Sequence, residues 1–246
     1  MTNKTIRKIF CRQSEYETRK LLAMLTLIDT PSPNWGPRLH QPVIDMLVLH
    51  YTGMLDAAVA LDRLPNPDME VSAHYLIDEG GKIYRLVSEE CRAWHAGIAS
   101  WRGHSNINDR SIGIELVNPG HEFGYLPFPE PQMATLIKLA TEILDRHPIP
   151  ARNVVGHSDV APTRKQDPGE LFDWPRLSAE GIGLWPAEIN TDTLNFTEGL
   201  TQFGYDTADV HAAVTAFQRH FSPEQIDGTM TRKSAHRLAG LLVAID

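Results

Sequence analysis

Asn153-Val-Val-Gly-His-Ser-Asp-Val-Ala-Pro-Thr-Arg-Lys-Gln-Asp-Pro-Gly169 carries a strand end, a turn and a chemically loaded loop in one short stretch. The β-branched pair Val154-Val155 reads as a buried strand and Gly156 turns the chain. His157, Lys165 and Asp167 follow before Pro168-Gly169 ends the segment. Loops at strand ends often carry function, because the sheet fixes their base. Neutral imidazole and carboxylate both ligate Zn²⁺, and a catalytic zinc site needs three protein ligands with one position left open. His157 and Asp167 offer two. His50, which closes the apolar run Met46-Leu-Val-Leu-His50, is the candidate for the third. On spacing alone the triplet reads equally as three unrelated core or surface residues.

Working outward, residues 130–147 place Met133, Ile137, Ala140 and Leu144 on one helical stripe that Pro148 ends. Residues 111–117 are mostly apolar, as an interior strand covered on both faces would be. Residues 73–78 and 82–87 form a strand pair joined through Glu79-Gly-Gly81, a hairpin signal. Residues 56–64 have helical spacing of Ala57, Ala60, Leu61 and Leu64, stopped by Pro65-Asn-Pro67. The Pro- and Gly-rich residues 29–38 read as an ordered loop. Helices and strands intermingle, which predicts an α/β domain with a central mixed β-sheet flanked by helices.

The texture changes after Trp185-Pro186. Residues 190–198 are polar and read as a linker or capping loop. Beyond them come Phe203-Gly-Tyr205, a helix over 208–221, the turn Ile226-Asp-Gly228 and a helix over 231–244. The expectation is a small C-terminal three-helix domain, with a plain helical tail as the alternative. About 50 residues is small for independent stability, so docking on the first domain is expected. The division is then 1–28 unassigned, 29–186 catalytic, 187–199 linker and 200–246 C-terminal domain.

The 246-residue chain is 42% hydrophobic, enough for a sizeable core, and its net charge of −8 leaves no basic field for nucleic acid or an anionic membrane. Cys11 and Cys91 make neither a disulfide framework nor a cysteine zinc site. No apolar run approaches the roughly 18–20 residues of a membrane span. Near the N-terminus, Lys4, Arg7 and Lys8 precede Ile9-Phe10-Cys11, and a second basic-then-apolar run covers 19–28. The second run is short and lacks a small-residue cleavage site. The bulky residues before Cys11 do not support a lipoprotein signal, and Met24 is an alternative start.

Five segments in order carry a resemblance: Leu47-Val-Leu-His-Tyr-Thr-Gly53, Ser72-Ala-His-Tyr-Leu-Ile-Asp78, Trp94-His-Ala-Gly97, Ser111-Ile-Gly-Ile-Glu-Leu-Val117, and Gly156-His-Ser-Asp-Val160 with Arg164-Lys-Gln-Asp-Pro-Gly169. Together they resemble the zinc-dependent N-acetylmuramoyl-L-alanine amidases, the amidase-2 family related to peptidoglycan recognition proteins, from about residue 29 to about 186. The resemblance implies His50, His157 and Asp167 as Zn²⁺ ligands. It implies Glu115 as the group that handles protons near the attacking water, and Lys165 as the group that stabilises the oxyanion. A structural ion pair is the other reading of Glu115, and a solvated loop side chain that of Lys165. His74, Trp94 and His95 fall in family motifs and are expected to line the substrate cleft. His74 is equally readable as an orienting group behind a ligand or as a packed strand residue. Trp94, with Trp101 nearby, could form a sugar-stacking wall. His104, His121, His147, His211, His220 and His236 have no supporting context.

Gly204-Tyr205, Phe217-Gln218 and Asp227-Gly228 resemble the signature of a peptidoglycan-binding three-helix domain. The implied activity is hydrolysis of the amide between N-acetylmuramic acid, or its anhydro form, and L-alanine, in cell-wall turnover or recycling. A non-catalytic muropeptide receptor of the same fold is the alternative. The expected partners are peptidoglycan or muropeptide fragments, with the protein a monomer. Two domains point to the cell envelope, whereas the lack of an export signal points to the cytoplasm.

Overall fold

A computed structural model describes residues 25–39, 43–191 and 194–245. The readings of the N-terminal basic runs, of Cys11 and of Met24 lie outside the described residues. In chain order the strands are β1 (Leu27–Asp29), β2 (Trp35–Pro37), β3 (Met46–Tyr51), β4 (Tyr75–Ile77), β5 (Ile83–Arg85), β6 (Cys91–Ala93), β7 (Ser100–Trp101), β8 (His104–Ser105), β9 (Ser111–Leu116) and β10 (Val154–Gly156). The α-helices are α1 (Ala57–Arg63), α2 (Ile107–Arg110), α3 (Gly120–Phe123), α4 (Glu130–Arg146), α5 (His157–Val160), α6 (Trp174–Ala179), α7 (Phe196–Phe203), α8 (Val210–Phe221) and α9 (Arg232–Ile245).

The main sheet runs β1-β5-β4-β9-β3-β10. β4 and β5 are antiparallel, as the Gly-Gly hairpin predicts, while the β4–β9, β9–β3 and β3–β10 pairs are parallel. The sheet is therefore mixed and flanked by helices, as expected. Residues 29–38 are not simply a loop: β1 joins the sheet edge beside β5, and β2 pairs with β6. Three-residue strands in Pro-rich sequence are too short to show a period of two, so local pattern hides them.

Side chains alternate across a strand, and β3 divides its residues between two cores. Leu47 and Leu49 join Ile112, Ile114 and the α4 residues Met133, Leu136, Leu139, Ala140 and Ile143. The expected α4 stripe is thus shifted: Leu136, Leu139 and Ile143 are buried, whereas Ile137 and Leu144 pack only at the margin. Met46 and Val48 point the other way, into a cluster with Val155, Trp101 and the C-terminal Phe196, Leu200, Phe203, Phe217, Phe221 and Leu238. The C-terminal helices therefore cover one face of the sheet with an aromatic core.

Helix α7 begins inside the stretch read as a linker. Asn195 caps it, its side chain accepting from the Glu198 amide at 3.3 Å. The polar surface of this helix conceals the apolar positions Phe196, Leu200 and Phe203. In the C-terminal motif, buried Gln218 donates to the Thr229 carbonyl at 2.9 Å and accepts from the Gly228 amide at 2.8 Å. A Cβ on Gly228 would lie 2.1 Å from the His211 ring, so this turn requires glycine. These residues lock a helix to a turn.

Candidate metal centre and active site

The parallel strands β3, β9 and β10 end together, and open α/β sheets hold their ligands beyond such carboxyl ends. His50 is paired in register with Glu115 across β3 and β9. His157 follows directly on β10. The loop carrying Asp167 folds back over that strand end, with Ser158 N donating to Asp167 O at 2.9 Å. A Cβ on Gly156 would stand 2.6 Å from Pro168 Cδ, so glycine permits this close return. Tyr125 fixes the loop from outside, its hydroxyl donating to the Pro168 carbonyl at 2.6 Å.

Three side-chain atoms converge here. His50 Nδ1, His157 Nδ1 and Asp167 Oδ2 are each 3.0 Å from the other two. Their hydrogen-bonding surroundings fix which ring nitrogens carry protons. His157 Nε2 faces the Ala96 carbonyl at 3.0 Å, so it must donate, and Nδ1 is left bare. Ser111 gives its hydroxyl proton to the Ile107 carbonyl and so accepts from His95 Nε2 at 3.1 Å. His95 Nδ1 is then bare and accepts from His50 Nε2 at 3.0 Å, which leaves His50 Nδ1 bare as well. Burial, reinforced by His157, holds the His50 pKa at about 4.

With both rings neutral, as metal ligation requires, two nitrogen lone pairs and a carboxylate oxygen converge here, a donor set suited to a cation. Tetrahedral bonds of about 2.0–2.1 Å separate donor atoms by about 3.3 Å, so the observed spacing fits within a few tenths of an ångström. Among the described residues this is the cluster of His, Cys, Asp and Glu side chains able to hold a metal.

A cleft of about 570 Å³ opens beside His157 and Asp167, lined also by Tyr51, Arg63, Trp94, Glu115 and Lys165 among others. Glu115 Oε2 is buried and has no hydrogen-bond partner. Burial, and then the charge of Asp167, push the Glu115 pKa well above its ordinary value, while Lys165 acts in the opposite sense. The structural ion-pair reading of Glu115 thus finds no direct partner. Lys165 is half-buried at the cleft wall.

The three residues expected along the cleft separate. Trp94 lines it. His95 reaches it but chiefly braces His50 from behind. His74 is fully buried and lines no part of it: its Nδ1 accepts from the Gly113 amide at 2.9 Å, and burial with the nearby Arg38 lowers its pKa to about 3. His74 lies in the bend just before β4, with its ring 5.7 Å from that of His95, so the expectation that it lines the substrate cleft is corrected: it sits behind the cleft. Trp101 is likewise core, edge-on to Tyr205 at 5.1 Å, and forms no wall with Trp94.

The family model for N-acetylmuramoyl-L-alanine amidase matches residues 40–170, more than half of the 246-residue chain. The chain belongs to the N-acetylmuramoyl-L-alanine amidases. This amidase is 40% identical over 218 residues to the Escherichia coli N-acetylmuramoyl-L-alanine amidase AmiD, covering 76% of the chain and 78% of AmiD. To the 1,6-anhydro-N-acetylmuramyl-L-alanine amidase AmpD of Haemophilus influenzae it is 35% identical, covering 59% of the chain and 86% of AmpD.

Among solved structures, the amidase is similar to E. coli AmiD in complex with anhydro-N-acetylmuramic acid-L-Ala-D-gamma-Glu-L-Lys. The TM-score is 0.75 at 36% identity, over 84% of this chain and 91% of that one. It is similar to Pseudomonas aeruginosa AmpDh3 in complex with anhydromuramic pentapeptide, with TM-score 0.75 and 34% identity, over 87% and 95%. Among the described residues of the amidase no helix is long and apolar enough to cross a membrane.

The sequence reading missed Asp159, Tyr125, His121 and His220. Asp159 was in view within the Gly156-His-Ser-Asp motif, but its partners lie far along the chain, so no local signal marked it.

Proposed function

We propose that the amidase holds Zn²⁺ through His50 Nδ1, His157 Nδ1 and Asp167 Oδ2 and cleaves the muramoyl–L-alanine amide of muropeptides, the anhydro form included. The observation that carries this reading is the convergence of His50 Nδ1, His157 Nδ1 and Asp167 Oδ2, the last two residues lining a cleft. When bound, Zn²⁺ supplies a Lewis acid that polarises a carbonyl and acidifies water. Glu115, at the cleft beside these residues, takes a proton from the attacking water and later gives it to the departing amine. The carbon–oxygen bond forms, the carbon–nitrogen bond breaks, and the L-alanine amine leaves protonated. The Lys165 ammonium stabilises the negative charge that develops on the former carbonyl oxygen. Trp94 supplies an apolar wall for the sugar or peptide.

Support for the substrate class comes from the two relatives solved with anhydromuramyl peptides at 34–36% identity. The catalytic unit is kept at 29–186, and the C-terminal unit is taken to begin at 196, where the helix over 196–203 starts, instead of at 200. That unit is proposed to hold the amidase near peptidoglycan, and the envelope is the favoured place of action. Local concentration on a polymer rises by tethering without any new catalytic contact.

The test is metal analysis of the purified protein, followed by digestion of soluble anhydro-muropeptides and of intact sacculi with and without chelator. Release of free stem peptide that chelator abolishes and Zn²⁺ restores is the expected result. Bound zinc with no release from either substrate would favour the muropeptide-receptor reading.

A further inference from the structure

Asp159 lies two residues after His157 and is buried. Its Oδ2 accepts from the Gly156 amide at 2.7 Å, which clamps the turn that carries His157. The other donors to this carboxylate come from the C-terminal unit, Tyr205 from the connection between α7 and α8 and His220 from α8. Tyr205 donates its hydroxyl to Oδ1 at 2.6 Å, and His220 Nδ1 lies 2.7 Å from Oδ2. The His220 ring is held flat against Trp174 and Phe221, each with ring centroids 3.7 Å away. Its neighbour Arg219 lies 3.8 Å from Glu170, three residues after Asp167. Glu170 in turn meets His121, which meets Tyr51 beside His50. Two consecutive residues of α8 thus reach the chain next to two of the three converging side chains.

A buried carboxylate is stable only when its lone pairs are satisfied. Removing one of these donors leaves Asp159 short of partners, and the turn it clamps must then shift. Groups that orient metal ligands typically change metal affinity 10- to 100-fold when lost. We infer that Tyr205 and His220 are positioning residues for the His157 turn, so that the C-terminal helices form part of the catalytic apparatus as well as covering the sheet. The inference rests on the metal-centre reading given under the proposed function.

The test uses the full chain stripped of metal, as wild type, His220→Leu, His220→Asn and Tyr205→Phe. Co²⁺ is titrated against a competing chelator, its visible absorption is recorded, and apo-protein melting is followed separately. Reconstituted proteins are assayed for kcat and KM on anhydro-muropeptide. His220→Leu is expected to weaken Co²⁺ binding about 10- to 100-fold, to alter the absorption band, and to lower kcat more than KM changes. His220→Asn, whose amide nitrogen can donate from near the Nδ1 position, is expected to recover most of the affinity. A His220→Leu protein that melts earlier but binds Co²⁺ with wild-type affinity and spectrum overturns the inference. Should His220→Leu fail to fold, Tyr205→Phe is judged by the same readings. If wild type bound Co²⁺ but hydrolysed nothing, the amidase mechanism would fail while the Co²⁺ comparison still decided the positioning role.

Discussion

His95 Nδ1 stands 3.0 Å from His50 Nε2, with the Ser111 hydroxyl 3.1 Å behind the far nitrogen of His95. This chain of bonds turns the bare nitrogen of His50 toward His157 and Asp167. His95→Phe keeps an aromatic ring but removes the acceptor. Zinc affinity is expected to fall about 10- to 100-fold, measured by chelator competition, with an otherwise native circular dichroism spectrum. Unchanged affinity would show that the strand alone orients His50.

Glu115→Gln separates chemistry from stability. Glu115 carries a buried oxygen without a partner, and burial strongly opposes its charge. The neutral amide is expected to leave metal content intact and lower kcat by about 10²–10⁴. It should also leave the apo protein as stable as wild type or up to about 1 kcal/mol more stable, because functional sites store such strain. Wild-type turnover in this variant would remove Glu115 from the mechanism.

Phe217 is fully buried where the C-terminal helices meet Met46, Val48 and Trp101. Phe217→Ala is expected to destabilise the protein by about 3–5 kcal/mol, read from denaturant unfolding. Truncation before residue 194 should give an aggregating chain, since it uncovers one apolar face of the sheet. A soluble, cooperatively melting truncation would instead make the C-terminal unit an independent module.

Glu89 gathers three donors: Tyr75 at 2.7 Å, Arg146 at 2.7 Å and His147 at 2.6 Å. Burial opposes its ionisation, but these partners bring its pKa down to about 2. Its pKa is depressed on folding, so its stabilisation is full above the unfolded value of about 4.3 and disappears as pH falls through about 2. Glu89→Gln should lose on the order of 2 kcal/mol at neutral pH. Compared with wild type by thermal melting between about pH 5 and 2, its stability should decline less steeply. Parallel curves for the two proteins would refute this.

Much of the architecture was legible from local pattern. The apolar run before His50, the Gly-Gly hairpin and the existence of helix α4 are strong local signals, although the face that α4 buries was not legible. β1, β2 and α7 were not legible. Their three-residue strands or polar surface carry too little periodicity, and pairing with distant chain decides them. The ligand triplet could be nominated from ordered motifs, yet spacing alone left it ambiguous. His74 lies behind the cleft and not along it, because a motif gives a residue's neighbourhood and not the direction its side chain takes.

The sequence by itself determined the main strands and helices and the mixed α/β class, and its ordered motifs nominated the residues able to bind a metal. Those properties depend on side-chain chemistry and on repeats within a few residues. Only the tertiary structure decided that His50, His157 and Asp167 meet with bare atoms 3.0 Å apart, and that Asp159 is satisfied by Tyr205 and His220. Protonation and orientation of a buried side chain are set by the donors and acceptors around it. Here those come from two connecting segments and a helix more than forty residues away along the chain.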